Sequence, residues 1–145
     1  ASLRPDSLNQ DSSSYYFGGI SYIEIEDDDV LDIQTNKLTL TAWIKPAKTM
    51  GTYVIQKETL INSNGDLTEG GGPFSLDIFP GTPRALVYGV DKSFVMVTGT
   101  STIQQNVWQH LALTWDGSTA NLYYNGQLEA TEPFAQPIMK TNGNV

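Results

Sequence analysis

The feature that most constrains the fold is the stretch from Trp108 to Thr131, WQHLALTWDGSTANLYYNGQLEAT. Its apolar, aromatic and β-branched runs are separated by two tight-turn dipeptides, Asp116-Gly117 and Asn125-Gly126. Both dipeptides suit type I′ turns, because Asn, Asp and Gly tolerate the positive φ that the two central positions require. The stretch therefore predicts three antiparallel β-strands in a meander, which is a scaffold without a catalytic signature.

Short strands separated by Gly and Pro are predicted along the rest of the chain. The best of them is Lys37–Pro46, whose alternation places Leu38 and Ile44 on one face and Trp43 on the other. We find no internal repeat and no helix-period segment, so the pattern predicts an all-β, antiparallel two-sheet β-sandwich of the jelly-roll type. Further strands are expected at residues 15–17, 21–26, 53–57, 74–79, 85–88 and 94–99, with one helical turn or irregular loop near residues 26–33.

The chain has 145 residues, which is close to the commonest size of one domain. Residues 1–14 are polar and rich in Ser, and we interpret them as an N-terminal arm or linker. Residues 15–145 are then expected to form a single β-sandwich domain.

The net charge of −8, from 16 acidic and 8 basic residues, argues against nucleic acid as a partner, because phosphate contacts need clusters of Lys and Arg. Membrane insertion is not expected either, because no apolar run approaches the roughly 20 residues that a membrane helix needs. Cysteine is absent, which excludes disulfides, thiolate zinc sites and Cys nucleophiles.

Three blocks of sequence carry a resemblance to a known family. They are YYFGGISYIEIEDDDVLDI, KLTLTAWIKP and the meander from Trp108, and they follow one another between Tyr15 and Thr131. In this order they resemble the laminin G-like domains of the concanavalin A-like lectin/glucanase superfamily. The resemblance implies a sandwich fold and places Trp43 and Trp108 in the core, but it says little about function, because one fold hosts many activities.

The sequence departs from the family pattern in two places. Gly18 stands where the family usually has Asp, near a region that often holds a structural Ca²⁺ in relatives, so the departure argues against a site there. The family's closing segment, which completes the sandwich, would begin near Asn142. We therefore expect the C-terminal strands either to be missing or to be supplied by another chain.

The best candidates for stacking on a sugar ring are aromatic residues in or next to loops. The long Gly-rich loop between Glu58 and Pro73 adds polar groups of the kind that orient a glycan. The candidate carbohydrate-binding residues are Tyr53, Asn62, Asn64, Asp66, Phe79 and Tyr88.

The densest carboxylate group is Asp27, Asp28 and Asp29, and its oxygens are the ligands that Ca²⁺ prefers. We keep these residues as a candidate metal site, although no cofactor is required by the sequence. The alternating acids Glu24 and Glu26 are compatible with the carboxylate spacing of a glycosidase, but a solvated acidic edge is the favoured interpretation. The single histidine, His110, is expected to be structural.

The sequence thus favours a non-catalytic recognition module, not an enzyme, that binds a glycan on a cell surface or a polysaccharide. The alternative is a structural or assembly module that decorates a virion, fibre or surface layer and contacts neighbouring protein chains. A glycoside hydrolase is the remote alternative. Each of the favoured functions places the protein outside the cell, at a cell surface or at a virion surface.

Overall fold

The computed structural model describes residues 1–18, 21–49, 51–57, 72–141 and 143–145. In these ranges it contains ten β-strands and one 3₁₀ helix, Asp29–Leu31. The strands are β1 (Ser2–Arg4), β2 (Ser14–Tyr16), β3 (Leu38–Ile44), β4 (Thr52–Lys57), β5 (Phe74–Ile78), β6 (Pro83–Tyr88), β7 (Phe94–Thr98), β8 (Gln109–Trp115), β9 (Thr119–Tyr124) and β10 (Gln127–Pro133).

Two four-stranded antiparallel sheets form the body of the domain. One sheet has the order β10-β9-β8-β3 and the other has the order β4-β5-β6-β7. Buried apolar residues of both sheets form one hydrophobic cluster between them. The predicted all-β, two-sheet sandwich is therefore confirmed.

The core follows from period-two alternation along each strand. In β8, Leu111, Leu113 and Trp115 are 2% exposed or less and point inward, whereas His110 and Thr114 lie on the opposite face. Complete burial of such a side chain stabilises the fold by roughly 1.5–3 kcal/mol. The indole of Trp115 also satisfies its only polar atom, because Nε1 donates to the carbonyl oxygen of the Phe134 backbone at 2.8 Å.

The two turns of the meander differ from each other. Asn125 and Gly126 have φ values of 49° and 80°, which confirms the type I′ turn predicted there. At the other turn the prediction is wrong, because only Gly117 takes a positive φ, of 96°. Three residues separate β8 from β9, and Asp116 caps this loop by accepting the Ser118 and Thr119 backbone N–H groups at 2.9 Å. These bonds, together with the Ser118 hydroxyl, lower the pKa of Asp116.

The strand expected at residues 21–26 is not formed. Ile25 exchanges two backbone hydrogen bonds with Val145, at 2.6 and 3.0 Å, and Asp27 N–H donates to Asn144 Oδ1 at 3.0 Å. These contacts do not extend into a ladder within the described residues, and the segment stays exposed. Alternation alone is therefore insufficient here, because a strand also needs a continuous partner.

The N-terminal residues form a small hairpin, in which β1 pairs with β2 so that Ser2 lies opposite Tyr16 and Arg4 opposite Ser14. The guanidinium carbon of Arg4 lies 5.7 Å from the centroid of the Tyr16 ring. In the described part of the chain, no helix has the length and apolar character that crossing a membrane requires.

Candidate functional site

The outer face of the β4-β5-β6-β7 sheet is the most distinctive surface of the molecule, and we call it the aromatic face. In β5, Leu76 and Ile78 point into the core, so Ser75 and Asp77 point to the outer face. The pairing register extends this face across the sheet. Its cross-strand rows are Tyr53–Asp77–Arg84–Thr98, Gln56–Ser75–Leu86–Met96 and Tyr88–Phe94.

The structure brings the three aromatic residues predicted for sugar stacking to this surface. Tyr53 is 50% exposed and lies opposite Asp77, and Tyr88 is half-buried and packs against Phe94 with ring centroids 5.2 Å apart. Phe79 follows β5, is 45% exposed, and has its ring centroid 4.6 Å from the Arg84 guanidinium carbon. The face thus offers several partly exposed ring surfaces for an apolar ligand face.

An ion pair lies among these rings. Arg84 Nε donates to Asp77 Oδ1 at 2.8 Å and Arg84 Nη2 donates to Oδ2 at 3.2 Å, which is a bidentate arrangement. Asp77 is 2% exposed and also accepts a hydrogen bond from Ser75 Oγ at 3.3 Å, whereas the Arg84 side chain is 19% exposed. The carboxylate therefore fixes the guanidinium plane in one orientation.

The fixed guanidinium retains donor capacity. Arg84 has five N–H groups, and among the described residues only Asp77 accepts hydrogen bonds from it. The remaining N–H groups have no acceptor in the described part of the chain, which makes them candidate donors to hydroxyl or carboxylate oxygens of a ligand. Because Asp77 offsets the charge, the pair suits oriented hydrogen bonding better than simple attraction of an anion.

The three aspartates of residues 27–29, predicted as a metal site, have separate partners in the structure. Asp27 Oδ1 lies 2.6 Å from Lys57 Nζ, and Asp28 Oδ1 accepts the Val30 N–H at 2.9 Å at the start of the 3₁₀ helix that contains Asp29. Among the described residues, no group of three or more His, Cys, Asp or Glu side chains could hold a metal ion. Calcium binding by these aspartates stays a prediction.

Lys57 is the cation of this segment. Its side chain is 1% exposed, and Asp32 Oδ1 lies 3.8 Å from its Nζ in addition to the shorter contact with Asp27. This Asp32 oxygen is buried and accepts no hydrogen bond in the described structure. The single positive charge of the ammonium group offsets one of these two negative charges, and its short contact with Asp27 competes with binding of a cation there.

Three candidate carbohydrate-binding residues, Asn62, Asn64 and Asp66, lie outside the described residues, so their predicted role stays a prediction. The acids considered for catalysis are described. Glu24 and Glu26 are exposed, and Glu24 Oε1 accepts a hydrogen bond from Asn144 Nδ2 at 2.7 Å.

The expectation that Trp43 lies in the core is wrong. Its side chain is 58% exposed on the outer face of the other sheet, where its ring centroid lies 5.2 Å from that of His110. The alternation along the strand correctly predicts that Trp43 and Leu38 lie on different faces of the sheet. Only the family resemblance implies that Trp43 is buried. Trp108 is half-buried, and Trp115 is the indole that fills the core.

A second cluster fixes the segment that follows β7. Glu129 accepts hydrogen bonds from the Ser101 hydroxyl at 2.7 Å and from the backbone N–H groups of Thr100 and Ser101 at 2.9 Å. These contacts, led by that of the Ser101 hydroxyl, lower the pKa of Glu129 despite partial desolvation. The cluster stabilises the loop that follows β7.

Sequence reasoning missed several members of the aromatic face, notably Asp77, Arg84, Phe94 and Met96. The alternation of β5, with Asp77 between Leu76 and Ile78, signals an outward carboxylate. It does not reveal which strand lies next to β5, and therefore cannot reveal the guanidinium partner.

Comparison with known proteins adds the following. A family model of the laminin G type, described as the concanavalin A-like lectin/glucanases superfamily, matches residues 17–145. The crystal structure of the binding domain of Paraclostridial Mosquitocidal Protein 1 is similar, with a TM-score of 0.54 and 16% sequence identity over 75% of this chain. The match spans 28% of the length of that chain, and at this identity it speaks to the fold alone. A search of curated proteins finds no match.

Proposed function

Because this chain belongs to the concanavalin A-like lectin/glucanases superfamily, we propose that it is a non-catalytic recognition module that binds carbohydrate through its aromatic face. The proposed site residues are Tyr53, Phe79 and Tyr88 for stacking, with Arg84 as the orienting hydrogen-bond donor. The superfamily includes both lectins and glucanases. Membership therefore does not decide whether the chain is an enzyme, and the non-catalytic role is part of what we propose.

One observation carries the proposal. The three aromatic sugar-stacking candidates lie on or against one sheet face: Tyr53 is opposite Asp77, the Phe79 ring lies over the Arg84 guanidinium that Asp77 holds in place, and Tyr88 packs against Phe94 farther along β6. Ring surfaces combined with a few oriented polar groups are the usual composition of a small-molecule site. Asp77 is the only carboxylate of the cross-strand rows named above and is bound to Arg84, so no pair of acids is available there for glycoside hydrolysis.

The comparisons support the proposal at a coarser level. The similar crystal structure is named as a binding domain, which favours a binding role for this chain as well. We further propose that the ligand is a glycan or polysaccharide outside the cell, on a cell surface or a virion surface, as is typical of laminin G-like domains.

The test is binding of the full chain to a glycan array and to a panel of insoluble polysaccharides. Tyr53→Ala and Phe79→Ala should each weaken binding about 3- to 10-fold, because an aromatic contact contributes roughly 0.5–1.5 kcal/mol beyond area burial. Tyr22→Ala is the matched control, because Tyr22 is 72% exposed and lies outside both sheets. The proposal would be refuted if the chain bound no glycan or polysaccharide, or if neither Tyr53→Ala nor Phe79→Ala weakened the binding.

Calcium binding at Asp27, Asp28 and Asp29 is a separate proposal and has its own test. Titration calorimetry of the chain with CaCl₂ should give heat at a single site if the proposal holds. A Lys57→Met variant should then bind Ca²⁺ more tightly, because the ammonium group no longer neutralises Asp27. Absence of heat with both proteins would reject calcium as a ligand.

A second candidate function, assembly by strand addition, is favoured by one observation. β3 lies at the edge of its sheet, and its seven residues, LTLTAWI, include no charge and no Pro. An edge strand of this kind presents unpaired N–H and C=O groups to another chain. Hydrogen exchange tests it: amides of β3 that point away from β8 should be protected in the assembled state and exchange rapidly in the monomer.

A further inference from the structure

The outer face of the β10-β9-β8-β3 sheet lacks charge, and we call it the uncharged face. Period-two alternation and the pairing register place twelve strand residues on it, and none is Asp, Glu, Lys or Arg. They are Thr39, Thr41, Trp43, His110, Ala112, Thr114, Thr119, Asn121, Tyr123, Leu128, Thr131 and Pro133.

The uncharged face has a lower share of charged residues than the chain as a whole. The protein carries 16 acidic and 8 basic residues, and charged residues make up 17% of the sequence. The aromatic face, by contrast, contains the Asp77–Arg84 pair. Charge depletion combined with exposed aromatic residues is the compositional signature of the centre of a protein interface.

Apolar side chains are exposed across the whole width of the uncharged face. Trp43 on β3 is 58% exposed, and Leu128 on β10, at the other side of the sheet, is 57% exposed. Tyr123 lies between them, opposite Leu128, and the Trp43 ring packs against His110. These side chains supply apolar contact area at both sides of the sheet.

We propose that the uncharged face associates with the same face of a second copy of this chain, in a twofold-symmetric dimer. The argument rests on charge: two chains of net charge −8 repel each other, and the repulsion is weakest where the contact face itself has no charge. A twofold contact between identical faces is also the commonest arrangement of homo-oligomers, and it needs no complementary patch elsewhere.

The rim of the face is consistent with this arrangement. Lys45 follows β3 and Asp116 follows β8, and both are exposed at the ends of their strands. A polar, solvated rim around an uncharged centre is the common anatomy of protein interfaces.

The size of the face sets the expected strength. Four strands about 4.8 Å apart, with seven residues of about 3.4 Å rise, give a footprint of roughly 450 Å² for each copy. Specific interfaces bury roughly 800 Å² for each partner, so this contact belongs at the weak end of the range. We therefore expect a dimer that forms with increasing concentration and dissociates on dilution.

Pairing through the edge of β3 is the other way to join two copies, and one of its registers is unfavourable. An antiparallel β3–β3 contact centred on Thr41 would place Lys37 and Lys45 of the two chains opposite each other. Like charges directly opposite on neighbouring strands are destabilising. The two modes also differ in a residue that can be tested, because Leu128 lies on β10, away from the β3 edge.

The test is sedimentation equilibrium of the full chain from micromolar to millimolar concentration, at low and at high salt. The mass should rise from 15.9 kDa toward twice that value, and more readily at high salt, because salt screens the repulsion between the copies. Trp43→Lys and Leu128→Lys should each abolish the rise. Met96→Lys on the aromatic face, where Met96 is 48% exposed, is the matched control and should leave it unchanged.

Circular dichroism and thermal unfolding establish that each variant is folded, which we expect because all three side chains are about half exposed. If Trp43→Lys fails to fold, Leu128→Lys decides the question. A wild-type chain that stays monomeric at millimolar concentration, or a dimer that survives Leu128→Lys, would overturn the proposal. The uncharged face and the aromatic face share no residues. A negative result for dimerisation would therefore not change the interpretation of the glycan-binding experiment.

Discussion

Replacement of Arg84 by Met isolates the energetic role of the ion pair in the aromatic face. The substitution keeps much of the side-chain volume but leaves the Asp77 carboxylate, 2% exposed, with the Ser75 hydroxyl at 3.3 Å as its one remaining side-chain partner among the described residues. Breaking a buried ion pair by removing one partner costs about 3–5 kcal/mol. Arg84 is 19% exposed, so water can replace part of the lost contact, and we expect the lower end of that range.

An independent limit supports this magnitude. An isolated buried carboxylate can accept a proton, so the part of the cost at pH 7 that comes from its charge cannot exceed the free energy of protonating an aspartic acid side chain there. That free energy is about 4 kcal/mol, from an ordinary Asp pKa near 3.9 and 1.36 kcal/mol for each pH unit. We therefore expect a loss of about 3 kcal/mol at pH 7.

The assay is urea unfolding followed by tryptophan fluorescence, since Trp115 is 2% exposed in the folded state. Arg4→Met is the matched control: it removes the other arginine, on an exposed strand, and should cost no more than about 0.5 kcal/mol. The double variant Asp77→Asn/Arg84→Met should regain part of the loss, because no buried charge remains. Equal stability of the Arg84→Met and Arg4→Met proteins would refute the reasoning.

Three further predictions follow from other sites. Asp27→Asn should lower the free energy of unfolding in urea by about 2–3 kcal/mol, because it removes the closest partner of Lys57, whose side chain is 1% exposed. Lys57→Met should lower it by less, because the Asp27 side chain is 30% exposed and water can hydrate its carboxylate. A larger loss for Lys57→Met than for Asp27→Asn would contradict this prediction. The Ser101 hydroxyl holds the pKa of Glu129 below its usual 4.5, so the stability it adds is present above pH 4.5 and lost as the pH falls through the folded-state pKa. The difference in melting temperature between wild type and Glu129→Gln should accordingly be largest near pH 7 and narrow in acid, and a constant difference would rule the idea out. Asn125→Ala should lower stability by about 1–2 kcal/mol, because φ is 49° there, whereas Asn125→Gly should cost less, as thermal unfolding will check.

Much of the fold could be predicted from the sequence, because the information that defines it is local. The Asn125-Gly126 turn, with both φ values positive, and the alternating strand around Trp43 were both readable from neighbouring residues. The resemblance to laminin G-like domains is confirmed by the family match. The prediction of a strand at residues 21–26 is wrong, because strand formation requires a pairing partner and the alternation of residues does not specify one.

The site could be predicted only in part, for a related reason. Tyr53 and Phe79 were chosen because they lie in or next to loops, and the structure places both against the Asp77–Arg84 pair. The pair itself arises because β6 lies beside β5 in the sheet, which is a matter of topology. Burial of Lys57 was equally invisible, because its two acidic neighbours come from a distant part of the chain.

The pairing of β3 with β8 has a consequence for the order in which the chain folds. β8, β9 and β10 are joined by short turns, so their contacts form between residues close in sequence, whereas Ile44 must find Gln109 across the whole of the other sheet. Closing so long a loop lowers the chain entropy before the stabilising contacts between the strands form, and this slows the formation of such pairs. We therefore expect the meander to form early and β3 to dock late. Until β3 docks, the apolar edge of β8 is unpaired, and that interval is when the folding chain is most prone to aggregation.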